Sequence, residues 1–386
     1  MAFLILTTAA FAASLTTSPA PQDRIQKPVV HRGTLLVEAG KIYISKDRVL
    51  ERSSLLVRDG KILYVGSEIP EDAKKNVPKV SFPNGTIVPG FVNPHSSLGH
   101  GANLAERIDT FTPELQASDA FDPFIAPLFQ SAKAGVTTVG LAPSSFNAFA
   151  GQACAVRTGK IGKVIVESSY LKMSMIDAAF DQNRFPTSRM GFADLIRTTF
   201  DEARSALGAT DDRLKILQSV VNGARQLVLH ASTEAEINSV LDLAKELNLK
   251  PLIVGCESGH KCADRIAKIC AGVILAPLGF GSSQKRLEFP ATLEKLGVPF
   301  SFTAERPEDL RVSAALAVRY GASEKVVLAA LTETGAKHAN AGQVGTLFEG
   351  KSADFCVFSG NALDLTSQLL GVYIAGVSIN TTERAN

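Results

Sequence analysis

The chain of 386 residues has no tryptophan, five tyrosines and four methionines. Few flat rings with exposed polar edges leave little for a nucleic-acid surface that stacks bases on side chains. Neither sign of charge is in excess: 40 Lys and Arg stand against 38 Asp and Glu, a net +2. Such a chain lacks the field that nucleic acid or an anionic membrane surface would need. No run approaches the roughly 18–20 consecutive apolar residues of a membrane span. The five cysteines, Cys154, Cys256, Cys262, Cys270 and Cys356, are odd in number and scattered through apolar stretches. They make no disulfide framework, and no Cys-x-x-Cys pair offers a structural zinc ribbon. They read as small buried residues.

What is present is ordinary globular composition, 45% apolar and 20% charged, in a chain long enough to bury a core without staples. Thirty glycines and 18 prolines suit the many tight connections of an alternating α/β chain. The N-terminus opens with an Ala-rich apolar run at residues 2–13, followed by Ser14-Leu15-Thr16-Thr17-Ser18-Pro19. The run is too short to span a bilayer and suits the apolar region of a secretory signal, although no basic residue precedes it. Residues 1–24 are therefore expected to be a signal peptide and linker. The mature chain would begin between residues 11 and 24 and be exported, periplasmic or extracellular.

Residues 32–88 alternate as short strands: Gly33-Thr34-Leu35-Leu36-Val37, Lys41-Ile42-Tyr43-Ile44, Ser54-Leu55-Leu56-Val57 and Lys61-Ile62-Leu63-Tyr64-Val65. Asp59-Gly60 between two of them predicts a hairpin, because both residues tolerate positive φ. The C-terminus repeats the style in Ala353-Asp354-Phe355-Cys356-Val357-Phe358 and Gly371-Val372-Tyr373-Ile374. Residues 30–88 and 343–384 are expected to compose one small β-sandwich built from both termini. Between them lie eight candidate strands, at 87–93, 137–141, 153–157, 171–174, 227–230, 252–255, 273–276 and 300–304. Helical periods separate several of them. Residues 233–247 open with a capping box, Thr233 and Glu236, and carry apolar residues at 237, 240, 241, 244 and 247. Residues 311–320 and 324–332 are further helices. The class is α/β, a (β/α)8 TIM-like barrel over 89–342, with functional side chains expected at the C-terminal ends of its strands.

The first of those ends reads Pro89-Gly90-Phe91-Val92-Asn93-Pro94-His95. With Leu56-Val57-Arg58-Asp59-Gly60-Lys61-Ile62 before it, it resembles the opening of the amidohydrolase superfamily, and more narrowly its imidazolonepropionase-like branch. Gly345-Thr346-Leu347-Phe348-Glu349-Gly350-Lys351-Ser352-Ala353-Asp354-Phe355 is similar to that family's closing segment. Ala134-Gly135-Val136-Thr137-Thr138-Val139, Leu171-Lys172-Met173 and Pro186-Thr187-Ser188-Arg189-Met190-Gly191 also match. The resemblance covers roughly residues 32–380 and implies a distorted barrel beside a β-sandwich. It also implies hydrolysis of C–N bonds other than peptide bonds, by water activated on one or two metal ions. The ligands it implies are two His at i and i+2 on strand one, a carboxylated Lys on strand four, and His on strands five and six. An Asp on strand eight completes them and also serves as general base.

The chain departs from that set. His95, Lys172 and His230 match, but Ser97 stands at i+2, Gly255 at or beside the strand-six His, and Ala304 at the Asp. A catalytic zinc normally takes three protein ligands and an open position. With two neutral imidazoles left, Lys172 is expected to stay an ammonium or find a carboxylate, and an ammonium repels a divalent metal. Three residues could rebuild the centre. Glu305 would do so if the strand-eight register shifts by one, His260 from the loop after strand six, and His100 only against strand parity. His31 and His338 fall outside the mouth. His95 and His230 could simply be hydrogen-bonded residues without a metal.

The reading that follows is an amidohydrolase-like protein, catalytically inactive, used as a binding or assembly subunit, with no catalytic residue and no cofactor. His95, Lys172 and His230 are then vestigial metal positions. Its partners would be further copies of itself or an active homologous subunit, without nucleic acid or a membrane span. The alternative is an active metal-dependent amidohydrolase with zinc in an altered single-metal site.

Overall fold

The period-two pattern at the two ends of the chain resolves, in a computed structural model, into strands of one sheet. The structure describes residues 33–180, 183–206, 208 and 210–379; the N-terminal run with its expected cleavage, and His31, lie outside them. Strands β1 (Thr34–Ser45), β2 (Arg48–Arg58), β3 (Lys61–Gly66) and β4 (Lys79–Pro89) open the chain. Strands β5 (Phe91–Ser96), β6 (Val136–Leu141), β7 (Phe149–Arg157), β8 (Lys163–Ser174), β9 (Gln226–Ala231), β10 (Leu252–Gly255), β11 (Gly272–Leu275) and β12 (Phe300–Phe302) follow. Strands β13 (Phe355–Phe358), β14 (Leu369–Ile374) and β15 (Val377–Ile379) close it.

The first sheet has the order β15-β14-β13-β4-β1-β2-β3, so strands from both ends of the sequence lie side by side. Val37 faces Val80 across the parallel β1–β4 pair, and Ile87 faces Val357 across the antiparallel β4–β13 pair. Asp59 and Gly60 turn the β2–β3 hairpin with φ of 50° and 76°, the left-handed pair that such a turn requires. These strands form one hydrogen-bonded seven-stranded sheet. The long β1 pairs along both its edges, and its register with β4 shifts between Ala39 and Lys41. At that shift a Cβ on Gly40 would lie 2.5 Å from the Pro83 carbonyl oxygen. Val37, Ile42, Ile44, Leu55 and Phe355 form its buried face, and Phe355 stacks on Tyr373 with ring centroids 4.5 Å apart.

The second sheet runs β12-β11-β10-β9-β8-β7-β6-β5 in unbroken sequence order, and all eight expected strands fall on it. Two details differ from expectation. The first strand starts at Phe91, because residues 87–89 belong to β4; Gly90 separates the sheets where any Cβ would overlap the Thr137 side chain. Strand β7 is antiparallel to β6 and to β8, while every other neighbouring pair is parallel. A parallel neighbour needs a crossover of a dozen or more residues. Residues 142–148 and 158–162 are too few to provide one, so the chain folds back as two hairpins.

The eight-stranded sheet is nearly closed. Among the described residues no backbone ladder joins β12 to β5, and side chains bridge that seam. Asn93 Nδ2 donates to the Ala304 carbonyl at 2.6 Å, and Thr303 Oγ1 donates to the His95 carbonyl. Helices cover the outside. The helix Glu234–Glu246 has the capping box that its sequence announces, Thr233 and Glu236 each accepting from the other's backbone N–H. Its apolar face of Ile237, Val240, Leu241 and Ala244 is buried, each large side chain contributing roughly 1.5–3 kcal/mol of burial. The sheet is tied to the barrel by Arg157, which donates to Ser352 Oγ at 2.7 Å and pairs with the buried Asp354 at 3.4 Å. Among the described residues no helix is long and apolar enough to cross a membrane.

Candidate functional site

The C-terminal ends of the barrel strands converge on three of the expected side chains. Strand parity and register place them: Ser174 of β8 pairs with His230 of β9, and His230 pairs with Val254 of β10. Lys172 sits two residues before Ser174, on the same face. Across the barrel, His95 occupies the end of β5. His95, Lys172 and His230 lie close enough for their charges to act on one another.

Lys172 is 2% exposed. Its Nζ donates to the Pro143 carbonyl at 2.5 Å. Burial pulls the amine down from its ordinary value to about 7, and the carboxylate of Glu305 pushes the other way. His230 keeps partial exposure, and its Nδ1 is 2.7 Å from Ser145 Oγ. Burial first, and the Lys172 charge second, push this imidazole down to about 3. His95 is held well below the usual imidazole range by burial, then by Lys172 and His230. Its Nε2 is buried without a hydrogen-bond partner. Both rings are therefore neutral at pH 7.

The other expected positions are engaged elsewhere. Ser97 gives its hydroxyl to Glu305 at 2.8 Å and its backbone N–H to the same carboxylate at 3.0 Å; Ser96 adds a third bond at 3.2 Å. Glu305 is thus an exposed clasp across the β5–β12 seam, facing serines and not imidazoles. Ala304 is buried, and its carbonyl receives Asn93. Gly255 has φ of +92°, and a Cβ there would lie 2.8 Å from Ser232 Oγ and 2.9 Å from His230 Nε2. The strand-six position has closed around a glycine, so a histidine cannot be restored there without moving His230.

The remaining histidines do not join the cluster. His100 lies beyond the strand in a turn, where its Nε2 accepts the Asp122 backbone N–H at 2.9 Å. His260 is in a short turn after β10, lowered by burial and by Lys261 and Lys285. His338 is buried on the opposite side of the barrel against Ser301. Among the described residues, no group of three or more His, Cys, Asp and Glu side chains is placed to hold a metal ion. Three partners of the mouth were not foreseen: Ser145, Asn93 and Thr303. The position of Ser144-Ser145, right after a barrel strand and its Pro143, was the available signal for the first.

No protein-family model matches the sequence, and comparison with curated proteins finds no match. Solved structures do match. The chain is similar to an amidohydrolase from Thermotoga maritima MSB8, with 26% identity over 89% of this chain and 99% of that one, at a TM-score of 0.77. It is also similar to molinate hydrolase, at 14% identity over 90% of this chain and 95% of that one, TM-score 0.56. A guanine deaminase from C. acetobutylicum with bound guanine matches at 16% identity over 90% and 100%, TM-score 0.53. The last two likenesses speak to the fold alone.

Proposed function

This chain belongs to the amidohydrolase superfamily, and from that premise we propose that it is a member without metal-dependent hydrolysis, acting as a binding or assembly subunit. The superfamily is a class of hydrolases of C–N bonds other than peptide bonds. The observation that carries the proposal is the donor set at the mouth.

Two neutral imidazoles, a lysine amine on a backbone carbonyl, a serine clasped by Glu305, a buried alanine and a strained glycine occupy the positions in question. A divalent ion normally wants three or more ligands of its own. The residues present do not fit it. The two imidazoles supply at most two ligands, and the Lys172 cation opposes a positive ion between the rings. The superfamily's general base is lost with Ala304, which alone removes a contribution of roughly 10²–10⁴ in rate. No hydrolytic step is therefore derived.

Metal content tests this reading. The purified full chain, after dialysis, should hold well under one equivalent of zinc and gain no thermal stability from added zinc. One equivalent that survives dialysis and is lost in His230→Ala would overturn it in favour of a rebuilt zinc centre at His95, Lys172 and His230. The Ala-rich N-terminus supports export as part of the same proposal. N-terminal sequencing should find a start between residues 11 and 24, and a retained Met1 in cytoplasmic protein would refute it.

A further inference from the structure

We propose that a cleft between the seven-stranded sheet and the barrel binds a free α-amino acid with an apolar side chain, held as a zwitterion by Lys46 and Glu324 over an apolar floor. The cleft lies beside Pro89, just before β5, while His95 and the mouth lie at the far end of that strand. The inference goes beyond the reading above and stands whether or not the mouth holds a metal.

The space itself is the first observation. Its cavity volume is about 230 Å³, where a single water needs roughly 10–15 Å³. The ends of β1 and β2 form one wall, and the helix Glu324–Leu331 forms the other. Polar bridges at the surface join the two walls. Lys325 pairs with Asp47 at 2.5 Å, and the Lys46 backbone N–H donates to the Glu333 carboxylate at 3.3 Å. Deeper in, the buried Pro89, Leu328, Ala329 and Leu363 and the half-buried Tyr43 line the floor. Buried apolar side chains are normally packed against other atoms, and here part of that contact is missing. An apolar cleft with a few polar groups at its edge is the usual composition of a pre-formed small-molecule site.

The charges at the rim select the ligand. Lys325 is spent on Asp47. Lys46 and Glu324 are both exposed, and both border the cleft. Among the described residues, Lys46 Nζ has no ion-pair partner, and Glu324 receives only the Asn361 amide, at 3.1 Å. Lys41, which feels the Glu324 charge, is held by Glu51 at 3.2 Å. A cation and an anion therefore stand on one rim without pairing with each other. A ligand with a single charge would meet one attractive and one repulsive neighbour. An α-amino acid at pH 7 offers its carboxylate to Lys46 and its ammonium to Glu324, and its side chain can cover the floor.

The test titrates the full chain with L-phenylalanine and L-leucine, read by calorimetry and by melting temperature. Glycine, phenylethylamine and 3-phenylpropionate are the controls: the first lacks the apolar side chain, and the other two carry one charge each. Saturable binding of phenylalanine or leucine is expected, with a melting temperature that rises with the logarithm of concentration and exceeds that of every control. Lys46→Gln and Glu324→Gln, both at exposed positions, should each weaken affinity by roughly threefold, as loss of an exposed charge pair does. Gln at position 324 can still accept from Asn361. Ala329→Leu fills the floor and should abolish binding; if it does not fold, the two rim substitutions combined decide the matter. No response to either amino acid, an equal response to any control, or an affinity unchanged in Ala329→Leu or in the double rim variant overturns the proposal. The zinc measurement judges the metal-free reading separately.

Discussion

Two serine–histidine pairs of equal length occupy opposite ends of the same barrel. Ser145 Oγ and His230 Nδ1 are 2.7 Å apart at the C-terminal mouth, and Ser301 Oγ and His338 Nδ1 are 2.7 Å apart at the other end, beside the first residue of β11. Burial pushes both imidazoles down to about 3. The hydrogen bond is the same, and so is the neutral state at pH 7. What differs is access and neighbouring charge. His338 is 2% exposed and packed so tightly that a Cβ on Gly272 would come within 2.9 Å of its Nε2. His230 keeps a solvent-facing part and has a buried lysine beside it. A lowered imidazole is therefore no mark of chemistry by itself. The buried pair is a rivet between β12 and the helix Glu333–His338, and the mouth pair is partly exposed at the strand ends.

The largest expected effect falls on the rivet. His338→Ala should lower unfolding free energy by about 3 kcal/mol, from a cavity plus a stranded Ser301 hydroxyl. Its pH signature has a definite sign. The ring's native value is depressed from 6.5 to about 3, so the unfolded state takes up the proton first as pH falls. Wild-type stability then declines from about pH 6.5 and levels near pH 3, as the depressed value requires. The variant should lose part of that slope. Urea unfolding at pH 7 and pH 4.5 reads both quantities, and an unchanged slope would remove His338 from the account of acid lability.

Next in size is the closed wall. Gly255→Ala should cost about 2 kcal/mol, combining left-handed strain with the approach to Ser232 and His230. A neutral alanine would mean that the mouth can relax by a few tenths of an ångström, and would reopen the question of a ligand on the sixth barrel strand. Opposite in direction, Lys172→Met should stabilise the fold by about 1–2 kcal/mol at pH 7, since it removes an unpaired buried cation. The amine is lowered from 10.5 to about 7 against the pull of Glu305, with His95 and His230 facing it. The native state therefore holds the proton less well than the unfolded chain. The native state should gain stability as pH rises from 7 toward 10.5, and Lys172→Met should flatten that rise. Denaturation midpoints at pH 7 and pH 9 suffice to check it.

Much of this was legible in the residues and some was not. Asp59-Gly60 and the Thr233–Glu236 box announced a hairpin and a helix start because each depends on a few adjacent residues. The eight barrel strands were legible as short apolar runs. The direction of β7 was not, because pairing sense lies in the length of the connections and not in the strand's composition. Alternation likewise marks strands but does not say which of them pair, so the order β15-β14-β13-β4-β1-β2-β3 was not legible. At the mouth, His95, Lys172 and His230 were named from the resemblance to the amidohydrolase superfamily. Ser145 could not be paired with His230, since 85 residues separate them. The clasp of Glu305 on Ser96 and Ser97 was hidden too, because it crosses the barrel's seam.

The smallest effect separates the two pairs most directly. Ser145→Ala removes a hydroxyl from a partly exposed ring, and water can replace it on His230 Nδ1, so a loss of at most about 0.5 kcal/mol is expected. Ser301→Ala makes the same chemical change where no water can enter, and strands a buried ring nitrogen at a cost of about 1–2 kcal/mol. Equal bond lengths would otherwise predict equal losses. Measuring both variants by urea unfolding at pH 7 sets access against geometry within one molecule. A Ser145→Ala loss as large as that of Ser301→Ala would mean that the mouth excludes water as fully as the opposite end does.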